Sequence, residues 1–105
     1  MARLPDIESK QSKVTTVLRA MSNAKRMRIL NELADGRERS VSELEGVIAT
    51  LSQSALSQHL AMLRRDGIVA TRREGQVIHY RIADEASIRV IETLMAIYCP
   101  EMLEK

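Results

Sequence analysis

The stretch 51–65, near the middle of the chain, predicts a helix with one apolar face and one polar face. The polar face is uncharged until the arginines at its end. Leu56, Leu60 and Leu63 follow the i, i+4, i+7 spacing, so they form a single apolar stripe. Asp66-Gly67 ends the helix, because glycine is the usual residue just beyond a helix C-terminus. The polar face carries side chains that donate and accept hydrogen bonds, followed by arginine: Gln53, Ser54, Ser57, Gln58 and Arg64.

Two runs rich in β-branched residues follow this helix directly, at 68–73 and 76–82. The break between them contains Glu74-Gly75, and a short glycine-containing break between two such runs predicts a β-hairpin. Arg72 and Arg73 stand near the tip of that hairpin. A helix followed by such a ribbon is typical of a winged helix-turn-helix. In that fold the helix enters the major groove of DNA, and the hairpin, called the wing, reaches the backbone or the minor groove.

Apolar periodicity predicts four further helices, at 7–21, 24–34, 41–48 and 85–99. Asn23, Ser40 and Asp84 are predicted N-caps, and Glu43 completes a capping box with Ser40. The sequence therefore predicts a mainly α fold with a β-hairpin wing, in the order of four helices, the hairpin and a fifth helix. We expect one winged-helix DNA-binding domain over 1–105, with 1–6 as a flexible tail.

The distribution of charge favours contact with DNA. The net charge is only +2, yet the range 52–81 holds five arginines against two carboxylates. A local basic excess is what phosphate contact requires. We predict that Gln53, Ser54, Ser57 and Gln58 contact base edges, because a glutamine can bond adenine in the major groove. His59 either joins them or packs against the preceding helix. Further DNA contacts are predicted for these basic side chains: Lys25, Arg26, Arg64, Arg72 and Arg73.

The first and last helices are more apolar than the peripheral helices of a small monomer need to be. We therefore predict a homodimer that these two helices hold together. A two-fold dimer would place two reading helices about one DNA turn apart, which suits an inverted-repeat operator in double-stranded DNA. The predicted interface residues are Val14, Val17, Leu18, Ile88, Ile91, Leu94 and Met95.

The sequence lacks the residues that catalysis, zinc binding or membrane insertion would need. Ser57 and His59 stand two apart on a helix and point away from each other, so catalysis is not expected and no cofactor is predicted. His59 and His79 are the only histidines and lie too far apart in the chain for a closed zinc site. No run approaches the roughly 20 apolar residues of a membrane span, and no secretory signal opens the chain. A cytoplasmic protein without a membrane partner is expected.

Four motifs resemble, in their order, the ArsR/SmtB family of winged-helix repressors. They are AMSNAKRMRIL at 20–30, SVSEL at 40–44, LSQSALSQHL at 51–60 and RREGQ at 72–76. The resemblance covers about residues 12–99. It implies a homodimeric transcriptional regulator that binds an inverted-repeat operator, and many members release DNA when an effector binds. Within the family, the chain is most similar to the branch of the biofilm-growth and sulfide-responsive repressors, which also includes a haemolysin regulator and a nodulation regulator.

The resemblance also bears on the effector. In the sulfur-sensing members one cysteine follows the Ile-Leu of the second helix and another lies near the end of the last helix. Cys99 matches the second position, whereas Asn31 stands at the first. The family's metal sites lack their ligands as well: Ser40-Val41-Ser42 replaces a Cys-x-Cys pattern, and no histidine follows His79. Three alternatives remain: no effector, an unrecognised small ligand, or one-thiol redox chemistry at Cys99.

Two alternatives to a repressor remain. An activator that displaces a silencing protein from DNA would need the same reading helix and wing. A winged-helix module that binds other proteins instead of DNA would not need the uncharged polar face or the local excess of arginine, so these two features favour DNA binding.

Overall fold

The structure is a computed structural model, and it describes Glu8 and residues 12–102. The predicted tail at 1–6 and most of the start of the predicted first helix lie outside the described residues. The elements are α1 (Lys13–Met21), α2 (Ala24–Leu33), β1 (Arg39–Ser40), α3 (Val41–Val47), α4 (Gln53–Arg65), β2 (Val69–Glu74), β3 (Val77–Ile82), α5 (Glu85–Tyr98) and a short 3-10 helix (Pro100–Met102). This order confirms the predicted fold class.

Side-chain caps fix where the helices begin. The Asn23 side-chain oxygen accepts a hydrogen bond from the Arg26 N–H at 3.0 Å, and Asp84 accepts one from the Ser87 N–H at 3.2 Å. Ser40 and Glu43 form the reciprocal capping box, with N···O distances of 3.2 and 2.8 Å. These bonds satisfy N–H groups that a helix start otherwise leaves unpaired. All three predicted caps are therefore confirmed.

The wing is the larger part of a three-stranded antiparallel sheet in the order β1-β3-β2. β2 and β3 pair from Val69↔Ile82 to Glu74↔Val77, and Gly75 at φ 63° begins the turn. A positive φ of this kind favours glycine, which has no Cβ to clash. The turn lies one residue later than the predicted break. The two-residue strand β1 was not predicted, because so short a strand shows no alternation of apolar and polar residues.

The leucine stripe of α4 is fully buried. Leu56, Leu60 and Leu63 each have 0% exposure and lie in a core of aliphatic side chains from every helix and from β2 and β3. Burying one such side chain contributes about 1.5–3 kcal/mol. Any rotation of α4 about its axis would expose the stripe, so the core sets which face of α4 meets solvent.

The burial of α5 corrects part of the predicted dimer interface. Ile91 and Met95 are 1% and 8% exposed and belong to the core of the protomer itself. Ile88 and Val17 are half-buried and pack against the same core. Val14 and Leu18 are exposed, and Leu94 is half-buried. α5 carries two apolar stripes, and the spacing of its residues alone did not show which of them faces the protomer's own core.

No helix among the described residues is both long enough and apolar enough to cross a membrane.

Candidate nucleic-acid interface

The exposed side of α4 forms a polar surface without carboxylates. At about 3.6 residues per turn, its exposed side chains fall within an arc of roughly 140°. We call this arc the reading face, and it consists of Gln53, Ser54, Ser57, Gln58, Ala61, Arg64 and Arg65. The helix contains no Asp or Glu, so no fixed negative charge of α4 opposes an approaching phosphate. All the base-contacting residues predicted from sequence, other than His59, lie on this face.

The start of α4 is the part of the reading face best suited to base edges. Ser52 caps the helix by accepting a hydrogen bond from the Ala55 N–H at 3.1 Å. Gln53, Ser54, Ser57 and Gln58 occupy the first two turns and are exposed. Recognition helices contact bases mainly through their N-terminal residues, and amide and hydroxyl groups can both donate and accept hydrogen bonds there. Arg64 and Arg65 lie exposed at the other end of α4, where Arg65 Nε is 3.8 Å from the Asp66 carboxylate.

The two wing arginines have different environments. Arg73 is exposed, and its Nε donates only to the Gly75 carbonyl at 3.1 Å. Arg72 donates from Nε and Nη2 to the Glu38 carboxylate at 2.8–3.0 Å. The hydrogen bond from Arg72 lowers the pKa of Glu38, and the same bond raises the pKa of Arg72. Arg72 is therefore held in an ion pair with Glu38, and its predicted contact with DNA stays a prediction.

Arg26 makes a structural contact with the end of α1, and its predicted phosphate contact stays a prediction. Its Nε donates to the Ala20 carbonyl and its Nη2 to the Arg19 carbonyl, both at 3.0 Å. These carbonyls belong to the last turn of α1, where a helix leaves its C=O groups unpaired. The turn between α1 and α2 is so short that Arg26 reaches back to them. Lys25 is exposed beside it and has no described ion pair, so it remains a predicted backbone contact.

His59 lies about 100° outside the reading face around the axis of α4, on the side of the leucine stripe, and is half-buried. Burial lowers the pKa of its ring from the ordinary value of 6.5, and the positive charge of Arg26 lowers it further. A neutral imidazole at pH 7 cannot attract a phosphate as a cation. The environment therefore favours the packing role for His59 over a DNA contact.

We expect the His59 ring to titrate below pH 6.5 in the folded protein. Because the folded-state pKa is depressed, the unfolded chain binds more protons as the pH falls through this window, and stability decreases on acidification. The measurement is an NMR titration of both histidines, with urea unfolding of the wild type and His59→Gln at pH 5 and pH 7. The variant should lose part of the pH dependence. A His59 pKa above 6.5 would contradict this account.

Cys99 follows α5 and is a free, half-buried thiol. Together with Asn31, Met27 and Leu94 it lines an apolar cavity of about 420 Å³ between α2 and α5. The two positions that hold cysteines in the sulfur-sensing members thus face one cavity, although only one of them is a cysteine here. Within residues 12–102, no group of three His, Cys, Asp or Glu side chains is arranged to hold a metal ion.

Exposed apolar side chains lie on both α1 and α5. Val14 and Leu18 of α1 are 52% and 56% exposed, and Val90 and Ile97 of α5 are 42% and 63% exposed. We call these four residues the terminal-helix surface. Val90 and Ile97 were not among the predicted interface residues. Contiguous exposed apolar side chains mark surfaces that bind another protein.

Comparison with known proteins identifies related regulators. Residues 23–71 match the family described as "Bacterial regulatory protein, arsR family". The transcriptional activator HlyU of Vibrio cholerae is 46% identical over 96 residues, which are 91% of this chain and 87% of HlyU. The biofilm growth-associated repressor of Agrobacterium fabrum is 42% identical over 91% of this chain and 80% of its own length. The structure of HlyU from V. cholerae matches with a TM-score of 0.78 at 47% identity, covering 88% of this chain and 98% of HlyU.

Proposed function

We propose that this chain, which belongs to the ArsR family of bacterial regulatory proteins, acts as a homodimeric repressor that binds an inverted-repeat operator. Membership makes it a DNA-binding transcriptional regulator and not an enzyme. The homodimer, the inverted repeat and the repression are the proposal. We also propose that residues 1–105 form a single functional domain and that the protein acts in the cytoplasm, where bacterial DNA lies.

The observation that carries the proposal is the reading face of α4. It combines exposed amides and hydroxyls at the helix start with arginines at the helix end, and it holds no carboxylate. The buried leucine stripe keeps this face toward solvent. The exposed wing residue Arg73 adds a positive charge on a second element. A helix for base edges and a wing for the backbone are the two parts of winged-helix recognition.

The terminal-helix surface supports the homodimer. Both α1 and α5 expose large apolar side chains that the protomer core leaves uncovered. In a two-fold dimer the same surface of both protomers forms the interface. The terminal-helix surface of one protomer would therefore cover the terminal-helix surface of the other. Two symmetric reading faces would then match the two halves of an inverted repeat.

Anti-silencing activation is the second candidate, and the name of the relative HlyU, a transcriptional activator, favours it. The Agrobacterium fabrum relative is named a repressor. A repressor has only to occupy the promoter, whereas an anti-silencer must displace another DNA-bound protein. Transcription from the bound promoter in a purified system separates them. A repressor lowers transcription by polymerase alone, and an anti-silencer raises it only when the silencing protein is present.

Regulation by a dithiol within one subunit is not part of the proposal, because Cys99 is the only cysteine. We infer that the abundance of the protein sets its occupancy of DNA, with oxidation of the Cys99 thiol as the alternative. Operator affinity of the wild type and Cys99→Ser, each reduced and then treated with peroxide or polysulfide, distinguishes the two. A large loss confined to treated wild type would overturn our preference.

Gln53→Ala should weaken binding to the operator by about 1–3 kcal/mol, the range for a lost bidentate base contact. Binding to unrelated DNA should be unchanged, because that binding depends on phosphates. Sites bound across the genome first define the operator, and titrations on operator and unrelated duplexes at matched salt then give the ratio. An equal loss on both duplexes would show that Gln53 does not read bases.

A further inference from the structure

Among the described residues, the ion pair between Arg72 and Glu38 joins the wing to the rest of the protein. Two nitrogens of the guanidinium contact the carboxylate, with distances of 2.8, 2.9 and 3.0 Å. A second carboxylate, that of Glu74, lies 3.7 Å from Arg72 Nη2. The one arginine thus has two carboxylates beside it, and its positive charge is locally neutralised.

The sheet explains how the pair forms across a strand. Ser40 of β1 and Arg72 of β2 both lie opposite His79 of β3, on its two sides. Glu38 precedes Ser40 by two residues, so its carboxylate reaches over β3 to the guanidinium. Arg72 is still 50% exposed and Glu38 is 29% exposed. The pair therefore lies on the surface of the wing, where a nucleic-acid backbone can reach it.

We propose that Glu38 competes with DNA phosphates for Arg72 and thereby limits the sequence-independent affinity of the protein. The inference rests on the DNA binding of the proposed function. Glu38 occupies the Nε–Nη2 edge of the guanidinium, one of the edges that can bind an anion through two parallel hydrogen bonds. A phosphate can take this edge only by displacing the carboxylate, and the displaced carboxylate then stands beside a like charge.

The neighbouring arginine provides the contrast within the same strand. Among the residues that the structure describes, Arg73 donates only to a backbone carbonyl, which is neutral, so its full charge remains for a phosphate. In this proposal Arg73 contacts a DNA phosphate whenever the protein is bound. Glu38 weakens the corresponding phosphate contact of Arg72. A protein that must leave unrelated DNA quickly benefits from such a limit, because unrelated sites greatly outnumber operators.

Glu38→Gln tests the inference, since glutamine keeps the shape and one acceptor for Arg72 but removes the charge. We expect tighter binding to operator and to unrelated duplex DNA alike, up to about eightfold at about 0.1 M salt for each extra phosphate contact, and so up to about 60-fold for the two contacts of the dimer. The slope of log affinity against log salt should steepen by about 0.9 per protomer. Adding Arg72→Gln to Glu38→Gln should abolish the gain.

Glu92→Gln is the matched control, because it removes the same charge from an exposed site on α5 that has no described ion pair. A gain of equal size in Glu92→Gln would overturn the inference in favour of net charge. Unchanged affinity in Glu38→Gln would overturn it too, and weaker binding would show instead that Glu38 orients Arg72 for a phosphate. If Glu38→Gln folds poorly, Glu38→Ala gives the same salt slope. Failure of the wild type to bind any DNA would defeat the proposed function itself.

Discussion

Ile97→Asp is expected to give a folded monomer that has lost most of its affinity for the operator. Ile97 is 63% exposed in the protomer, so the substitution leaves the core untouched. In the proposed dimer the new carboxylate would be buried without a partner, which costs several kcal/mol for each ion. The two-fold axis doubles this cost, because both copies of residue 97 carry the change. Sedimentation and operator titration measure the two effects.

Ala96→Asp is the matched control for Ile97→Asp. Ala96 is the adjacent exposed residue of α5, and it lies about 100° away around the helix axis from the terminal-helix surface. The Ala96→Asp substitution adds the same charge to the same helix, and we expect the variant protein to remain a dimer that binds DNA. Ile91→Asp cannot serve in this test, since Ile91 is 1% exposed and its replacement would unfold the protomer. A dimeric Ile97→Asp protein would contradict the assigned interface.

The parts of the fold that the sequence predicted are those with local signals. The leucine stripe of α4, the caps at Asn23 and Asp84, and the hairpin turn at Gly75 each depend on residues within about one helical turn or one strand pair. Local spacing could not show which stripe of α5 faces inward. Ile91 and Ile97 both fit an apolar helix face, and only the position of α2 and β3 against α5 decides between them.

In the candidate site, too, local spacing predicted some features and missed others. The reading face could be predicted, because helical periodicity alone separates Gln53 and Ser57 from the leucines. The ion pair of Arg72 could not, since Glu38 is 34 residues away and meets it only through β1. The contact of Arg26 with the end of α1 depends on the angle of a short turn that no residue pattern specifies. The sequence therefore did not predict the partners of these two arginines.

Ser57→Glu should abolish specific DNA binding while the fold and the dimer persist. Ser57 is exposed near the middle of the reading face. A carboxylate in a DNA groove faces phosphates on both sides, and such like-charge contacts cost several kcal/mol. With one copy in each half of the dimer, we expect at least about a 100-fold loss of affinity.

Ser57→Gln separates charge from size in this test, because glutamine has the shape of glutamate but no charge. We expect Ser57→Gln to keep its binding to unrelated DNA and to change only its preference among operator sequences. Titrations of both variants on operator and unrelated duplexes at one salt concentration give the comparison, with sedimentation to confirm that both remain dimers. Equal DNA affinity of the two variants would mean that α4 does not enter the groove. In that case the uncharged face of α4 would have to serve contact with another protein, and the wing arginines alone would account for any remaining attraction to DNA.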